Sequence, residues 1–114
     1  MNNTPFFYHI TTPASWANFI DKDYYEADSL AIEGFIHAST AQQVQATLNR
    51  YYKGVPSIYL LKIEAAALTA ELKYELAPSV NENFPHIYGR LNKDAVVGIN
   101  EVFSNSDGSF TFAG

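Results

Sequence analysis

Ser57-Ile58-Tyr59-Leu60-Leu61-Lys62-Ile63 is the stretch on which the fold turns. Successive side chains of a strand point to opposite faces, and here Ile58 and Leu60 fall on one parity while Leu61 and Ile63 fall on the other. A nearly continuous apolar run with β-branched and aromatic members is the pattern of a central strand covered on both faces. Working back toward the N-terminus, Phe6 to Ile10 is a further strand. Thr12 then offers an N-cap and Pro13 a first helical residue. A helix of about 13 to 21 follows, with Trp16, Phe19 and Ile20 as its buried stripe. Asp23 to Ser29 is loop or short extended structure, Ser29 caps one turn through Leu30 to Glu33, and Gly34 ends it before a strand over Phe35 to Ala38. Ser39 or Thr40 caps a second helix from Ala41 to about Tyr52, with Val44, Leu48 and Tyr51 on one face and Gly54 closing it.

Beyond the central strand, Ala65 to Leu68 is too short to assign, and Leu72 to Glu75 reads as a strand. Ala77 to Pro85, with two prolines, reads as a polar loop. His86 to Gly89 and Ala95 to Phe103 complete the strands, and Ser106-Asp107-Gly108-Ser109 is a turn signal that pairs Phe110 to Phe112 back as a terminal hairpin. Two helices early and four or more strands later predict an α+β domain with helices packed on a mainly antiparallel or mixed sheet.

The 114 residues suffice for one domain with one core. Hydrophobic residues make up 47% and charged residues 17%, with eight Tyr and eight Phe, so the chain is expected to fold alone. Absence of cysteine removes thiol catalysis, thiolate metal sites and disulfides, and suits a reducing cytosol. No apolar run approaches a membrane span, and Met1-Asn2-Asn3-Thr4-Pro5 lacks the basic flank and apolar stretch of a signal peptide. The reading is a cytoplasmic protein. A net charge of −5, with seven Lys plus Arg scattered along the chain, argues against duplex nucleic acid as a partner. A small anionic ligand stays compatible with it, because backbone amides hold phosphate without net positive charge.

The three histidines recur in one pattern: His9-Ile-Thr11, His37-Ala-Ser39 and His86-Ile-Tyr88. In a strand each imidazole shares a face with the hydroxyl two residues on. If the three strands are neighbours, the rings and hydroxyls gather in one cleft. The competing reading has each His alone at a strand end, its nitrogens satisfied by backbone or water. Thr11 and Ser39 each run into a helix start, and Thr40 is a second candidate cap beside Ser39. Phe84-Pro85-His86-Ile87-Tyr88-Gly89-Arg90-Leu91-Asn92 is the densest segment. There Gly89 allows close backbone approach, Arg90 offers an anion donor and Asn92 an amide. His9, His37, His86 and Tyr88 are therefore the catalytic candidates, and Thr11, Ser39, Thr40, Gly89, Arg90 and Asn92 the ligand-binding ones. Side chains on a ligand cleft contribute little to packing, so each His→Ala change is expected to cost no more than about 1 kcal/mol.

Other chemistries find weaker support. Three imidazoles can bind zinc, but no compact signature such as His-Glu-x-x-His occurs, and no metal ligand set is assigned. Ser39 has no Gly-x-Ser-x-Gly elbow, and neither a P-loop nor a dinucleotide Gly-x-Gly-x-x-Gly is present.

Tyr8-His9-Ile10-Thr11, Gly34-Phe35-Ile36-His37-Ala38-Ser39-Thr40, and Phe84 to Gly89 followed by Leu91-Asn92 and Asp94-Ala95-Val96 resemble the DUF952 family, small bacterial and plant proteins of unassigned function. The resemblance runs in order from about residue 7 to 102. It implies an ADP-ribosyltransferase-like fold, a split, curved sheet with two early helices. In that superfamily a polar residue of the first core strand, often His, holds the nicotinamide ribose of NAD, and a Ser or Tyr of the second seats the nicotinamide side. By motif order those roles fall to His9 and to Ser39 or Thr40. Many active transferases carry a catalytic Glu on a late strand, whereas the matching motif here, His86-Ile87-Tyr88, has no carboxylate, and Glu82 and Glu101 lie outside any resembling motif. Loss of such a group removes several kcal/mol of transition-state stabilisation, so ordinary protein ADP-ribosylation is not expected. The resemblance implies instead a His-rich cleft for a nucleotide, NAD among them, or a phosphorylated small molecule, with His as the acid or base. The alternatives are a metal-dependent enzyme using the three His and a noncatalytic ligand-sensing or interaction domain. The cofactor, the reaction and the oligomeric state stay open.

Overall fold

A computed structural model describes residues 6–112. Met1 to Pro5, read above for targeting signals, lie outside the described residues. The central strand β4 (Ser57–Glu64) lies between β1 (Phe6–Thr11) and β8 (Val96–Phe103), antiparallel to both. Its two parities feed two cores, as the apolar run predicts. Leu61 and Ile63 join Phe7, Trp16, Tyr25, Ile36 and Ile87 on one side, while Ile58 and Leu60 join Ile10, Val44, Leu48 and Phe110 on the other.

A second three-stranded sheet runs β3 (Ile36–His37), β6 (Glu82–Tyr88), β5 (Glu71–Ala77), and a two-stranded ladder pairs β2 (Tyr24–Tyr25) with β7 (Leu91–Asn92). Every pairing is antiparallel. The two larger sheets meet at one isolated bridge, where Tyr8 and Ser39 exchange backbone hydrogen bonds of 2.8 and 2.7 Å. The chain is thus a single-domain α+β fold whose main sheet is split at that joint. Among the described residues no helix is long and apolar enough to cross a membrane.

Three helices occupy the first half. α1 (Pro13–Ala17) starts as predicted, with Thr12 Oγ1 accepting from Ser15 N at 3.1 Å. It stops four residues short of the expected end. From Phe19 the backbone bonds run three residues back instead of four, so the chain tightens and turns Ile20 outward to 64% exposure. α2 (Asp28–Glu33) ends at Gly34, whose φ of 92° is the left-handed stop expected of that glycine. In α3 (Ala41–Tyr51) Val44 and Leu48 are buried, but Tyr51 lies 66% exposed and is not part of the stripe. Thr40 caps α3 with Gln43, whose Oε1 accepts from Thr40 N at 3.0 Å. Ser39 is left free of capping.

The loop expected over Ala77 to Pro85 shrinks to a turn, and Pro85 lies inside β6. The geometry explains why a proline is tolerated there. Pro85 O accepts from Ala38 N at 3.0 Å, so both main-chain groups of Pro85 face β3, and its missing N–H falls just past the end of that two-residue strand. Pairing with β5 loses nothing.

The tail forms the predicted turn at Asp107-Gly108, yet Phe110 to Phe112 does not become a hairpin strand. Two side-chain amides one turn apart on α3 take the place of a ladder. Asn49 donates to Phe110 O at 3.1 Å and accepts from its N at 2.7 Å, while Gln45 donates to Phe110 O and accepts from Phe112 N at 2.7 Å. With its backbone so held, Phe110 buries its ring beneath α3 at 1% exposure.

Candidate functional site

A cleft of about 730 Å³ opens at the joint between the two sheets, and His9, His37, His86, Thr11 and Ser39 are among the residues lining it. The register of β3 against β6 explains how two of the rings meet. Pairing by Ile36↔Ile87 and by the Ala38–Pro85 bond leaves His37↔His86 as the non-hydrogen-bonded pair, where facing side chains come closest. Their ring centroids lie 5.3 Å apart, edge to face. Phe35 stacks on His86 at 4.0 Å and meets His37 edge-on at 4.9 Å.

That same register turns the main-chain groups of His37 away from β6 and toward β1. His37 O there accepts a 2.6 Å hydrogen bond from His9 Nδ1. His9 Nε2 lies 3.1 Å from the Tyr25 hydroxyl, which lies 2.8 Å from Thr11 Oγ1. His9 is buried, and burial pushes its pKa down to about 4. The ring is therefore neutral near pH 7, donating from Nδ1 and accepting at Nε2. Tyr25 is pushed up to about 12 by the same desolvation and stays a phenol. His9 thus lines the cleft with both ring nitrogens hydrogen-bonded inside the protein.

His37 is exposed and reaches back to Glu33, Nε2 to Oε2 at 3.1 Å, one turn away along the chain. His86 Nδ1 donates to Glu75 Oε1 at 2.7 Å, and the Tyr88 hydroxyl donates to the same oxygen at 2.6 Å. These bonds, Tyr88 first and His86 second, hold the Glu75 carboxyl below the usual carboxylate range, and Tyr88 is raised by the same contact. A carboxylate on β5 thus stands beside the His86-Ile87-Tyr88 motif. Occupation of Nδ1 leaves Nε2 as the His86 nitrogen available to a ligand.

The remaining candidates divide. Ser39 lines the cleft, with Oγ 3.4 Å from Thr47 Oγ1, but Thr40 is spent on capping α3. Tyr88, Gly89, Arg90 and Asn92 do not line the cleft. A Cβ on Gly89 would stand 2.9 Å from Ala70 Cβ, so its glycine serves close packing. Arg90 pairs with Glu26 at 3.2 Å and lies 4.0 Å over the Tyr24 ring. Asn92 ties Thr69 N (3.0 Å) to Ala67 O (2.9 Å). Sequence reasoning missed Tyr25, Glu75 and Arg50. The first two earn their positions through pairings that only the fold creates, and Arg50 was hidden by its place on an amphipathic helix.

No group of three or more His, Asp or Glu among the described residues is arranged to hold a metal ion. Both nitrogens of His9 are already hydrogen-bonded.

The family model for proteins of unknown function called DUF952 matches residues 10–99. The chain belongs to the DUF952 family. Among solved structures it is similar to the crystal structure of protein CC0527 from Caulobacter crescentus, with 28% identity over 93% of each chain and a TM-score of 0.83. A double mutant of CC0527 gives 27% identity over the same shares and 0.83. The solution NMR structure of CC0527 gives 28% identity over 93% of this chain and 91% of that one, with a TM-score of 0.79. No curated protein matches the chain.

Proposed function

We propose that this DUF952 protein is a cytoplasmic ADP-ribosyltransferase-like domain whose cleft binds a nucleotide, with NAD and ADP-ribose the first candidates. In this reading His86 moves the proton if the bound ligand reacts. The observation that carries the reading is that imidazoles from three separate strands converge, with the Thr11 and Ser39 hydroxyls, on one cleft at the split of the sheet. Aromatic lining suits a heterocycle, since Phe19, Tyr25, Tyr51 and Tyr52 are all among the lining residues.

Roles follow from the hydrogen bonds. His9, neutral and bonded at both nitrogens, sets the shape of the floor and holds His37 in place through its carbonyl. His86 is different, because Glu75 fixes its Nδ1–H, and so its tautomer and orientation, and leaves Nε2 to meet a ligand. Phe35 locks the ring from one face.

Calorimetric titration with NAD, ADP-ribose, ATP and adenosine tests the binding, and release of nicotinamide from NAD tests turnover. Micromolar to millimolar binding of a nucleotide, weakened by His86→Ala, is the expected result. Failure of every phosphorylated compound to bind at millimolar concentration refutes the proposal. Binding without turnover leaves a ligand-sensing domain and removes the catalytic role from His86.

A further inference from the structure

Cleft-lining side chains include one from Lys or Arg, and it is Arg50 in the last turn of α3. Among the described residues Arg50 makes no ion pair. Its guanidinium stands 5.9 Å from the Tyr51 ring centroid, at the outer limit of a cation–π contact. Two acids also line the cleft, Glu26 and Asp28, but Glu26 is neutralised by Arg90 at 3.2 Å.

Arg50 lies at the far end of α3 from Ser39, which pairs with the strand that carries His9. α3 begins beside Ser39, which bridges Tyr8 next to the histidines, and ends where the Tyr52 hydroxyl donates to Ile10 O at 3.4 Å, near the start of α1. Nine residues of helix from Ala41 to Arg50, at 1.5 Å each, carry the guanidinium's backbone about 14 Å from the histidine end. Thr47, one turn earlier on α3, also lines the cleft and adds a hydroxyl to that wall.

We propose that Arg50 is the anion anchor of the cleft, holding the phosphate or pyrophosphate of a ligand that lies lengthwise with its other end against His37 and His86. This rests on the nucleotide reading above and adds the ligand's orientation and the residue that selects for phosphate. A guanidinium with no carboxylate partner presents its planar fork to a phosphate without first breaking an ion pair. Position in the last helical turn gives Arg50 a favourable contact with the helix carbonyl end whatever it binds, so affinity, not stability, is the readout.

Arg50→Ala and Arg50→Lys are to be titrated with ADP-ribose, inorganic pyrophosphate and adenosine, after their melting midpoints are matched to the parent. ADP-ribose and pyrophosphate affinities are expected to fall at least tenfold in Arg50→Ala and less in Arg50→Lys, with adenosine unchanged. The salt dependence of ADP-ribose binding is expected to flatten as well. If the parent binds ADP-ribose and Arg50→Ala binds it equally well, the anchor is refuted while the nucleotide cleft stands. Equal loss for adenosine and ADP-ribose refutes it too, because the effect is then not on phosphate. A parent that binds none of the phosphorylated probes refutes both proposals.

Discussion

His9 and His86 occupy the same local pattern, an imidazole followed two residues later by a hydroxyl, yet their surroundings give them opposite chemistry. His9 lies under a core, bonded to a carbonyl and a phenol, with its pKa pushed down to about 4. His86 lies on the middle strand of the second sheet, stacked on Phe35 and bonded to a carboxylate. A carbonyl and a desolvated pocket make a ring that will not take a proton near neutral pH. A carboxylate on the neighbouring strand fixes the other ring's Nδ1–H and so its tautomer. What a histidine does is therefore decided by what lies across the strand from it.

The largest break in this comparison is expected from His9→Ala. It leaves the His37 carbonyl and the Tyr25 hydroxyl without their partner and opens a cavity at the sheet joint, for a loss of about 3 kcal/mol. Urea unfolding measures it, and a loss under about 1 kcal/mol would mean the joint does not depend on that ring.

Acid titration sharpens the contrast next. His9 has a folded-state pKa of about 4 against an unfolded value of 6.5, so between those limits the unfolded chain binds more protons. The stability contributed by neutral His9 is full above about pH 6.5 and is lost as pH falls toward 4, up to about 3 kcal/mol in all. Unfolding curves at pH 4, 5, 6 and 7 measure the slope, and NMR of the ring carbons assigns it. A His9 resonance that titrates near pH 6.5 would show the burial argument wrong.

The smallest effect is expected at the rim. His37 is exposed and its contact with Glu33 is a surface ion pair, so His37→Ala should change stability by less than about 0.5 kcal/mol. His86→Ala should fall between the two, at about 1.5 kcal/mol, because stacking on Phe35 and a part-buried hydrogen bond are lost. A different ranking of the three variants in one melting series would overturn the assignment of joint and rim.

Much of the scaffold was legible because its signals are local. The two parities of Ser57 to Ile63, the Thr12-Pro13 start and the Gly34 stop each declare themselves within a few residues. Only the part of β6 from His86 onward was read as strand, because a proline in a strand interior reads as a break, and the two-residue length of β3 is what makes Pro85 harmless. The tail was misread because a turn signal says nothing about whether sheet or helix lies within reach afterwards. At the cleft, the histidine spacing drew attention to the right strands, while Tyr25 and Glu75 stayed hidden. Tyr25 lies on a strand of two residues, and Glu75 meets His86 only through the β5–β6 register.

Pro85 has a consequence for the architecture as a whole. An N–H at that position would face the Ala38 carbonyl and let the β3–β6 ladder run one step further. Without it the β3–β6 pairing ends on one bond at Ala38, and Ser39, whose main-chain groups point the other way, pairs with β1. The ladder beside the opening is thus one hydrogen bond shorter than a donating residue would make it. A family member that replaced this proline with a residue able to donate would hold the His37–His86 pair between two closed rungs.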